Sequence, residues 1–516
     1  MGRRRAGRIA MLVAATALAL GAAPAEDALT VRLDRPDLQA ARLIALFEGS
    51  RAPHPAAALA AWKRAEGPGR SLGKPLEAAI AAVNPEMARE LRLLDGAELG
   101  LAFAADGPVR WHAILPGDDG TFAAAGTALA LTDGGSDPPL DGLAVDRLGP
   151  PGAPLMARAA GALVVAGTRD DLQSALARLG RAGMPEPSAP EAGARFRIVP
   201  AGLGPAPSLA LRRLAGALLG AGCREADGAL RLDDGVLGLV VTGRFDGPPV
   251  AATAVDPAWL DWVPAAGVVG AAAVAIGPRP EAWDAVFAAA DRAEKADPSR
   301  AQVAPLRTRL NLLALAAGVR PEVDLWPLVR GATACARADP SGRIDGASLA
   351  LHAVDPAAAG RIARLVPRLA TRLGLAPAAA GPELPPSAAI LRLGRLSGQP
   401  VDLCRRDATV LIAWGERTAA AALDARDHPD RSAGSAIRAC WGPRSPGRAG
   451  AFWPARLSGR AAAGSPVASS LSGAEPVLWW GERDGPTSRD ELRWTGLGGL
   501  VRRFLDRLPL APPAEP

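Results

Sequence analysis

Arg3, Arg4, Arg5 and Arg8 lead into an uncharged run from Ile9 to Leu20, and Ala23-Pro24-Ala25 follows with small residues in its first and third places. A basic start, a short apolar stretch and a small-x-small step are the layout of a secretory signal peptide over residues 1–25. The run covers 12 residues, and a bilayer-spanning helix needs about 20. A cleaved signal is therefore the better reading over an uncleaved anchor. No Cys follows the cleavage step, which argues against a lipid anchor there. No later segment is both long and uncharged enough to span, and Gly267 to Ile276 reads as a buried strand. The protein is expected outside the cytoplasm, periplasmic or secreted.

Past that point, short apolar runs alternate with helical patterns, and the pattern repeats. Leu163-Val164-Val165-Ala166-Gly167-Thr168-Arg169 leads into a helix over Asp170 to Leu179, with Leu172, Leu176 and Leu179 as its buried stripe. Thr168 suits the cap, and Asp170 and Asp171 suit the positive helix end. Much later Leu411-Ile412-Ala413-Trp414-Gly415-Glu416-Arg417 leads into Thr418 to Arg426 in the same manner.

A second likeness joins Trp111-His112-Ala113-Ile114-Leu115-Pro116 to Leu351-His352-Ala353-Val354-Asp355-Pro356. Each follows a hairpin signal, Ala105-Asp106-Gly107-Pro108 or Asp339-Pro340-Ser341-Gly342, and precedes an Ala-rich helix. Ala252 to Trp259, after a turn at Arg244 to Pro248, is a third relative. In Asp-Pro the carboxylate accepts free helix N–H groups, and the proline suits the first helical position.

These elements predict an α+β protein of internally duplicated units. Each unit has antiparallel strands in hairpins followed by capped helices, in mixed sheets with helices packed on one face. A first lobe is expected over 28–182, a Pro-rich linker over 183–194 and a middle segment over 195–328. Within the middle segment, helices are expected near 208–220 and over Glu281 to Lys295. A second lobe over 329–430 repeats the first. The tail, 440–516, holds a hairpin (Pro476 to Glu482; Arg489 to Thr495). It ends in a core-facing helix with Leu497, Leu500, Val501, Phe504 and Leu508 at helical spacing. The 49% apolar content supports sizeable cores, and a mature chain this long exceeds one core.

The run Leu310-Asn311-Leu312-Leu313-Ala314 through Gly318 to Leu328, with the hairpin and the Asp355-Pro356 helix after it, is similar to an uncharacterised family. That family, a domain of unknown function, consists of exported bacterial proteins. The likeness covers about 100–430. It implies export and an α+β fold, and it carries over no catalytic or binding residue.

Charge removes some classes. The chain has 59 Lys+Arg against 53 Asp+Glu. Loss of Arg3, Arg4, Arg5 and Arg8 leaves 55 against 53, near +2. So small a net charge gives no whole-molecule field to draw in nucleic acid or an anionic membrane. Four cysteines remain, Cys223, Cys335, Cys404 and Cys440, with no CxxC pair among them. In an exported protein Cys335–Cys404 is the favoured single bridge, against four free thiols.

Each chemical motif meets a competing reading. Gly69-Arg70-Ser71-Leu72-Gly73 matches a nucleophile elbow, and Ser71-Leu72-Gly73-Lys74 matches S-x-x-K, so Ser71 and Lys74 are the catalytic candidates. The stretch before them reads as helix rather than strand, Gly73 and Pro75 flank Lys74, and no S-D-N or K-T-G exists. A polar loop is the simpler account. His112 and His352 are the binding candidates, because they hold matching places in the second likeness. A structural hydrogen bond is the commoner fate of such a histidine. Asp118-Asp119-Gly120 and Asp133 to Asp141 lack calcium-loop spacing and read as solvated turns.

Arg361, Arg364, Arg368 and Arg372 form a basic face that is either solvated or a site for anionic lipid or phosphate. Pro367 inside that helix predicts a kink or break. Trp441, Trp453, Trp479, Trp480 and Trp494 crowd the tail and read as core rather than as a sugar platform.

No cofactor and no metal site is implied. The pattern points to an exported, non-catalytic α+β repeat protein with a binding or structural role in the bacterial envelope. Its expected partners are envelope proteins or an apolar ligand, not nucleic acid. The alternatives are an exported serine hydrolase or acyl-transferase using Ser71, and a carrier with an apolar cavity.

Overall fold

Ala162, Leu163, Val164, Val165 and Ala166 form one strand and are all buried. A strand with no polar side must be covered on both faces. That requirement organises the fold. The computed structural model describes residues 28–52, 54–66, 85–102, 110–118, 135–148, 152–182, 193–200, 223–245, 253–277, 306–372, 374–375, 390–441, 446–460 and 466–507. The chain divides into two compact units, 1–212 with 223–243 and 501–516, and 213–222 with 244–500.

The first unit runs β1 (Leu29–Leu33), α1 (Pro36–Ala45), α2 (Pro55–Glu66), α3 (Pro85–Glu90), β2 (Glu98–Ala102) and β3 (Arg110–Pro116). It continues β4 (Ser136–Leu140), β5 (Leu143–Arg147), β6 (Leu155–Ala159), β7 (Ala162–Ala166), α4 (Arg169–Ala182), β8 (Ala194–Ile198), β9 (Cys223–Asp233) and β10 (Val236–Phe245). Its strand order is β4-β5-β6-β7-β3-β2-β1-β8-β9-β10. Leu163 and Val165 of β7 pack with Ala40 and Ile44 of α1 and with Leu91 and Leu94. Val164 and Ala166 pack with Leu172, Ala175 and Leu179 of α4 on the other face.

The second unit runs β11 (Val268–Ala275), α5 (Leu306–Ala316), α6 (Pro321–Asp324), β12 (Val329–Ala338), β13 (Ile344–Ala353) and α7 (Pro356–Arg372). It continues β14 (Ile390–Leu396), β15 (Gln399–Arg406), β16 (Thr409–Trp414), α8 (Thr418–Asp427), α9 (Gly434–Ala439), β17 (Arg448–Phe452), α10 (Pro466–Leu471), β18 (Val477–Asp484) and β19 (Thr487–Trp494), and the helix after it, α11 (Leu497–Arg507), belongs to the first unit from Val501 onward. The strand order of the second unit is β14-β15-β16-β13-β12-β11-β17-β18-β19. Val410 packs with Ala358, Ala359 and Ile362 of α7. Its neighbours Leu411 and Ala413 pack with Ala419, Ala422 and Leu423 of α8.

The protein is thus α+β, with three differences from expectation. The registered strand pairs are antiparallel, so the sheets are not mixed. Helices cover both faces, because β7 and β16 present apolar residues to both. The first unit also reaches beyond the linker expected at 183–194. Ala194–Ile198 pairs with Leu29–Leu33 and belongs to the first unit.

Local chemistry accounts for the ends of the elements. The Thr168 hydroxyl accepts from the Asp171 N–H at 3.2 Å and donates to Asp171 Oδ2 at 2.7 Å, capping α4. Asp355 accepts from Ala358 N at 2.6 Å, and Asp256 from Ala258 N at 3.0 Å, as Asp-Pro predicts. Four hairpins turn on residue pairs with both φ positive: Asp141-Gly142, Ala160-Gly161, Asp234-Gly235 and Ser397-Gly398. These are the turns whose twist matches antiparallel strands. Asp339 closes the β12–β13 turn by accepting from Ser341 Oγ at 2.6 Å and Arg343 N at 3.0 Å, which lowers its pKa.

The break expected at Pro367 is absent, and α7 is continuous through it. Ile362 and Ala370, on either side of the proline, are both buried, and their packing offsets the hydrogen bond that proline cannot donate. The tail hairpin and last helix are present. In α11 it is Leu505, with Val501 and Phe504, that packs on Ala52, Ala58 and Ala61. Leu508 and the helices expected at 208–220 and Glu281–Lys295 lie outside the described residues.

Candidate functional site

The most built polar site in the second unit surrounds His352. The histidine is next to the last residue of β13, paired with Gly331 of β12 on one side and Thr409 of β16 on the other. Because strand residues two apart share a face, Thr333 is the diagonal neighbour. His352 Nε2 lies 2.9 Å from Thr333 Oγ1, and Nδ1 lies 3.1 Å from Thr409 Oγ1. The Trp259 indole stacks flat on the imidazole, with centroids 4.6 Å apart and planes 2° from parallel. Gly331 makes room for it, since a methyl there would stand 2.2 Å from Trp259 Cζ3.

The hydrogen bonds fix the tautomer. Thr333 Oγ1 donates its one proton to the Trp259 carbonyl at 3.1 Å. It can then only accept from the ring, so Nε2 carries the hydrogen. Nδ1 is left as a lone pair and accepts from the Thr409 hydroxyl. The imidazole is neutral with both nitrogens occupied. Burial, and then the positive charge of Arg330, push its pKa down to about 3. Such a ring has no lone pair free for a metal and no basicity near neutral pH. It binds three strands and the Trp259 segment together. Beside it, Cys335 Sγ lies 3.0 Å from Ser348 Oγ, and burial pushes that thiol's pKa up.

His112 sits differently. It is buried on β3, opposite Gly100 and Ala166. Ala166 is the last residue of β7, whereas Thr409 is the first of β16. The two histidines therefore occupy opposite ends of their strands, and each belongs to its own unit. Beside His112, Arg110 Nε meets Asp171 Oδ1 at 2.5 Å. Ser71 and Lys74 lie outside the described residues.

The bridge expected between Cys335 and Cys404 does not form, and both are free thiols. Cys335 is on β12 and Cys404 on β15, with β13 and β16 between them. Three strand spacings of about 4.8 Å exceed the ~7 Å Cα limit of a disulfide.

Among the described residues no group of three or more His, Cys, Asp or Glu could hold a metal ion. Trp441 and Trp480 are buried with Trp259 and Leu260. Trp479 lies on the opposite face of β18 from Trp480, against Gly450. Pro446, Trp480, Glu482, Arg489 and Glu491 line a surface dent with no room for a ligand, and Arg489 is paired to Glu491 at 3.0 Å. Asp137 of the expected acidic loop pairs with Arg147, and Asp141 starts a tight turn.

Sequence reasoning missed Trp259, Thr333 and Thr409 as partners of His352. Only strand register could have found the threonines. The Asp256-Pro257 cap was the one local sign that Trp259 is placed deliberately.

No protein-family model and no curated protein matches the sequence. Among solved structures, crystal form I of TP0453 aligns with 45% of this chain and 80% of its own, at 9% identity and a TM-score of 0.23. A likeness that slight carries no argument.

Proposed function

We propose that this chain is an exported, internally duplicated α+β scaffold with a non-catalytic binding or structural role in the bacterial envelope. The observation that carries the reading is the path of the backbone in each unit. Let β1, β2 and β3 answer to β11, β12 and β13. Let β5–β7 answer to β14–β16, and β8–β10 to β17–β19. With that substitution the two sheets have one strand order, and β4 is the sole addition. In both, a helix leaves the strand that follows the hairpin, α4 after β7 and α8 after β16. The path supports a wider repeat than the sequence likeness at Gly167 and Gly415. His112 and His352 are not equivalent in it.

The locked imidazole of His352 leaves that residue without an acid–base role near neutral pH. Export is supported by the N-terminal pattern alone. Expressed in a bacterium with two membranes, the mature chain is expected in the periplasmic fraction, beginning near Glu26. Met1 intact on cytosolic material would overturn export. Covalent labelling by a fluorophosphonate or penicillin probe, lost in Ser71→Ala, would overturn the non-catalytic reading.

A further inference from the structure

Arg361, Arg364, Arg368 and Arg372 run down the exposed side of α7, opposite Ala358, Ile362 and Ala370. From first to last the row spans about 16 Å at 1.5 Å per residue. None of the four makes an ion pair or hydrogen bond among the described residues. A fifth arginine joins them. A methyl built on Gly360 would stand 2.8 Å from Arg405 Nη1 and 3.8 Å from Arg364 Nη1, so two like charges converge beside the helix. Arg405 is exposed and also lacks a partner among the described residues.

The carboxylates of Asp402, Asp407, Asp427 and Asp355 on the flanking elements are occupied, while Asp345 of β13 keeps its Oδ1 buried. Asp402 is held by Arg392 through two bonds of 2.8 and 3.2 Å. Asp407 pairs with Arg426, and Asp427 with Arg406 and Arg426. Asp355 caps α7 itself. Five guanidiniums on one surface are thus left without counter-charge in a chain whose mature total is near +2.

Packed against α7 is α5. It holds Leu312 and Leu315 out to solvent, 63% and 61% exposed. We propose that this surface docks on a membrane bearing anionic lipid. The arginines meet headgroup phosphates, and the two leucines enter the interface. Guanidinium forks suit phosphate oxygens. A row of charges with bare leucines on the adjacent helix suits a lipid interface, which takes up both. A nucleic acid backbone would use the arginines and leave the leucines in water. The inference rests on surface charge and exposure, and it stands whether or not the units are repeats.

The test is co-sedimentation of the full chain with vesicles of phosphatidylcholine, with and without phosphatidylglycerol. Binding is expected only to the anionic vesicles, and it should fall steeply as salt rises. Replacing Arg361, Arg364, Arg368, Arg372 and Arg405 by Gln is expected to weaken it about 3,000-fold, at about fivefold per charge. The milder pair Arg361→Gln and Arg368→Gln should cost about 25-fold on the same scale, which covers the case where the fivefold variant misfolds. Leu312→Ser with Leu315→Ser should keep the salt dependence at lower affinity. Equal binding to neutral vesicles, or unchanged binding by the Arg361→Gln and Arg368→Gln pair, would overturn the proposal. So would tighter binding to a short DNA duplex than to the anionic vesicles.

Discussion

The imidazole of His352 lies flat on the indole of Trp259, 4.6 Å between centroids, while both its nitrogens are held by threonines. This neutral, desolvated ring has a consequence for pH. Its folded pKa is about 3 against an ordinary 6.5. Below pH 6.5 the unfolded chain takes up a proton that the folded chain refuses until about pH 3. The stabilisation is therefore complete above 6.5 and is lost as pH falls through that window, at about 1.4 kcal/mol per pH unit. Urea unfolding of the wild type and His352→Phe at pH 7, 6, 5 and 4 checks this. The variant should lack about one proton's worth of slope. Equal slopes would mean that the ring is not desolvated.

Thr333 donates to one partner and accepts from another, so its loss is felt twice. Thr333→Val leaves the Trp259 carbonyl and His352 Nε2–H both buried without their bond. A cost of about 2–4 kcal/mol is expected. Thr409→Val removes one bond and should cost about half as much. Nitrogen shifts of the His352 ring provide a second check, with the hydrogen on Nε2 in the wild type.

Much of this architecture was readable from pattern. The strand at Leu163–Val165, the cap at Thr168, the Asp355-Pro356 helix start and the tail hairpin all follow from local rules, because period, caps and turn residues act over a few positions. What pattern does not carry is pairing partner and register. His112 and His352 share the spacing His-Ala-x-x-Pro, yet one faces the end of β7 and the other the start of β16. Cys335 and Cys404 look alike as strand cysteines, and only the strand order shows two strands between them. The partners of His352 escaped notice for the same reason. Thr333, Thr409 and Trp259 lie 19, 57 and 93 positions away along the chain.

The thiols give a direct measurement. All four cysteines are free, and burial pushes the pKa of Cys335, Cys404 and Cys440 up. The melting temperature should be the same with and without reductant. In the native state at pH 8 Cys335 and Cys404 should resist a thiol reagent, while the half-buried Cys223 and Cys440 react first. A reductant-sensitive melting temperature would show a bridge that this fold does not allow.

Turn chemistry offers a stabilising change. Ala160 holds φ at 49° in the β6–β7 turn, where Asp141, Asp234 and Ser397 hold the same place in three other hairpins. An alanine has no side-chain group to favour the left-handed region, whereas asparagine enters it readily. Ala160→Asn should raise stability by about 0.5 kcal/mol. Thermal unfolding of the two proteins decides it.

Gly331 tests the opposite case, a residue fixed by space rather than by φ. A methyl there would stand 2.2 and 2.4 Å from the Trp259 ring and 2.6 Å from the backbone oxygen of Val274. The ring can move, but the strand backbone cannot, because β11 is paired on both sides. Gly331→Ala must therefore displace Trp259 and with it the stack on His352. A loss of about 3 kcal/mol or more is expected, at the upper end for overpacking. Displacing the indole also opens the imidazole to water, so the His352 pKa should rise toward 6.5. The double variant Gly331→Ala with His352→Phe separates the two effects. If the clash acts through the stack, the pH slope lost in His352→Phe should already be much reduced in Gly331→Ala. A full wild-type slope in Gly331→Ala would show that the indole does not shield the ring.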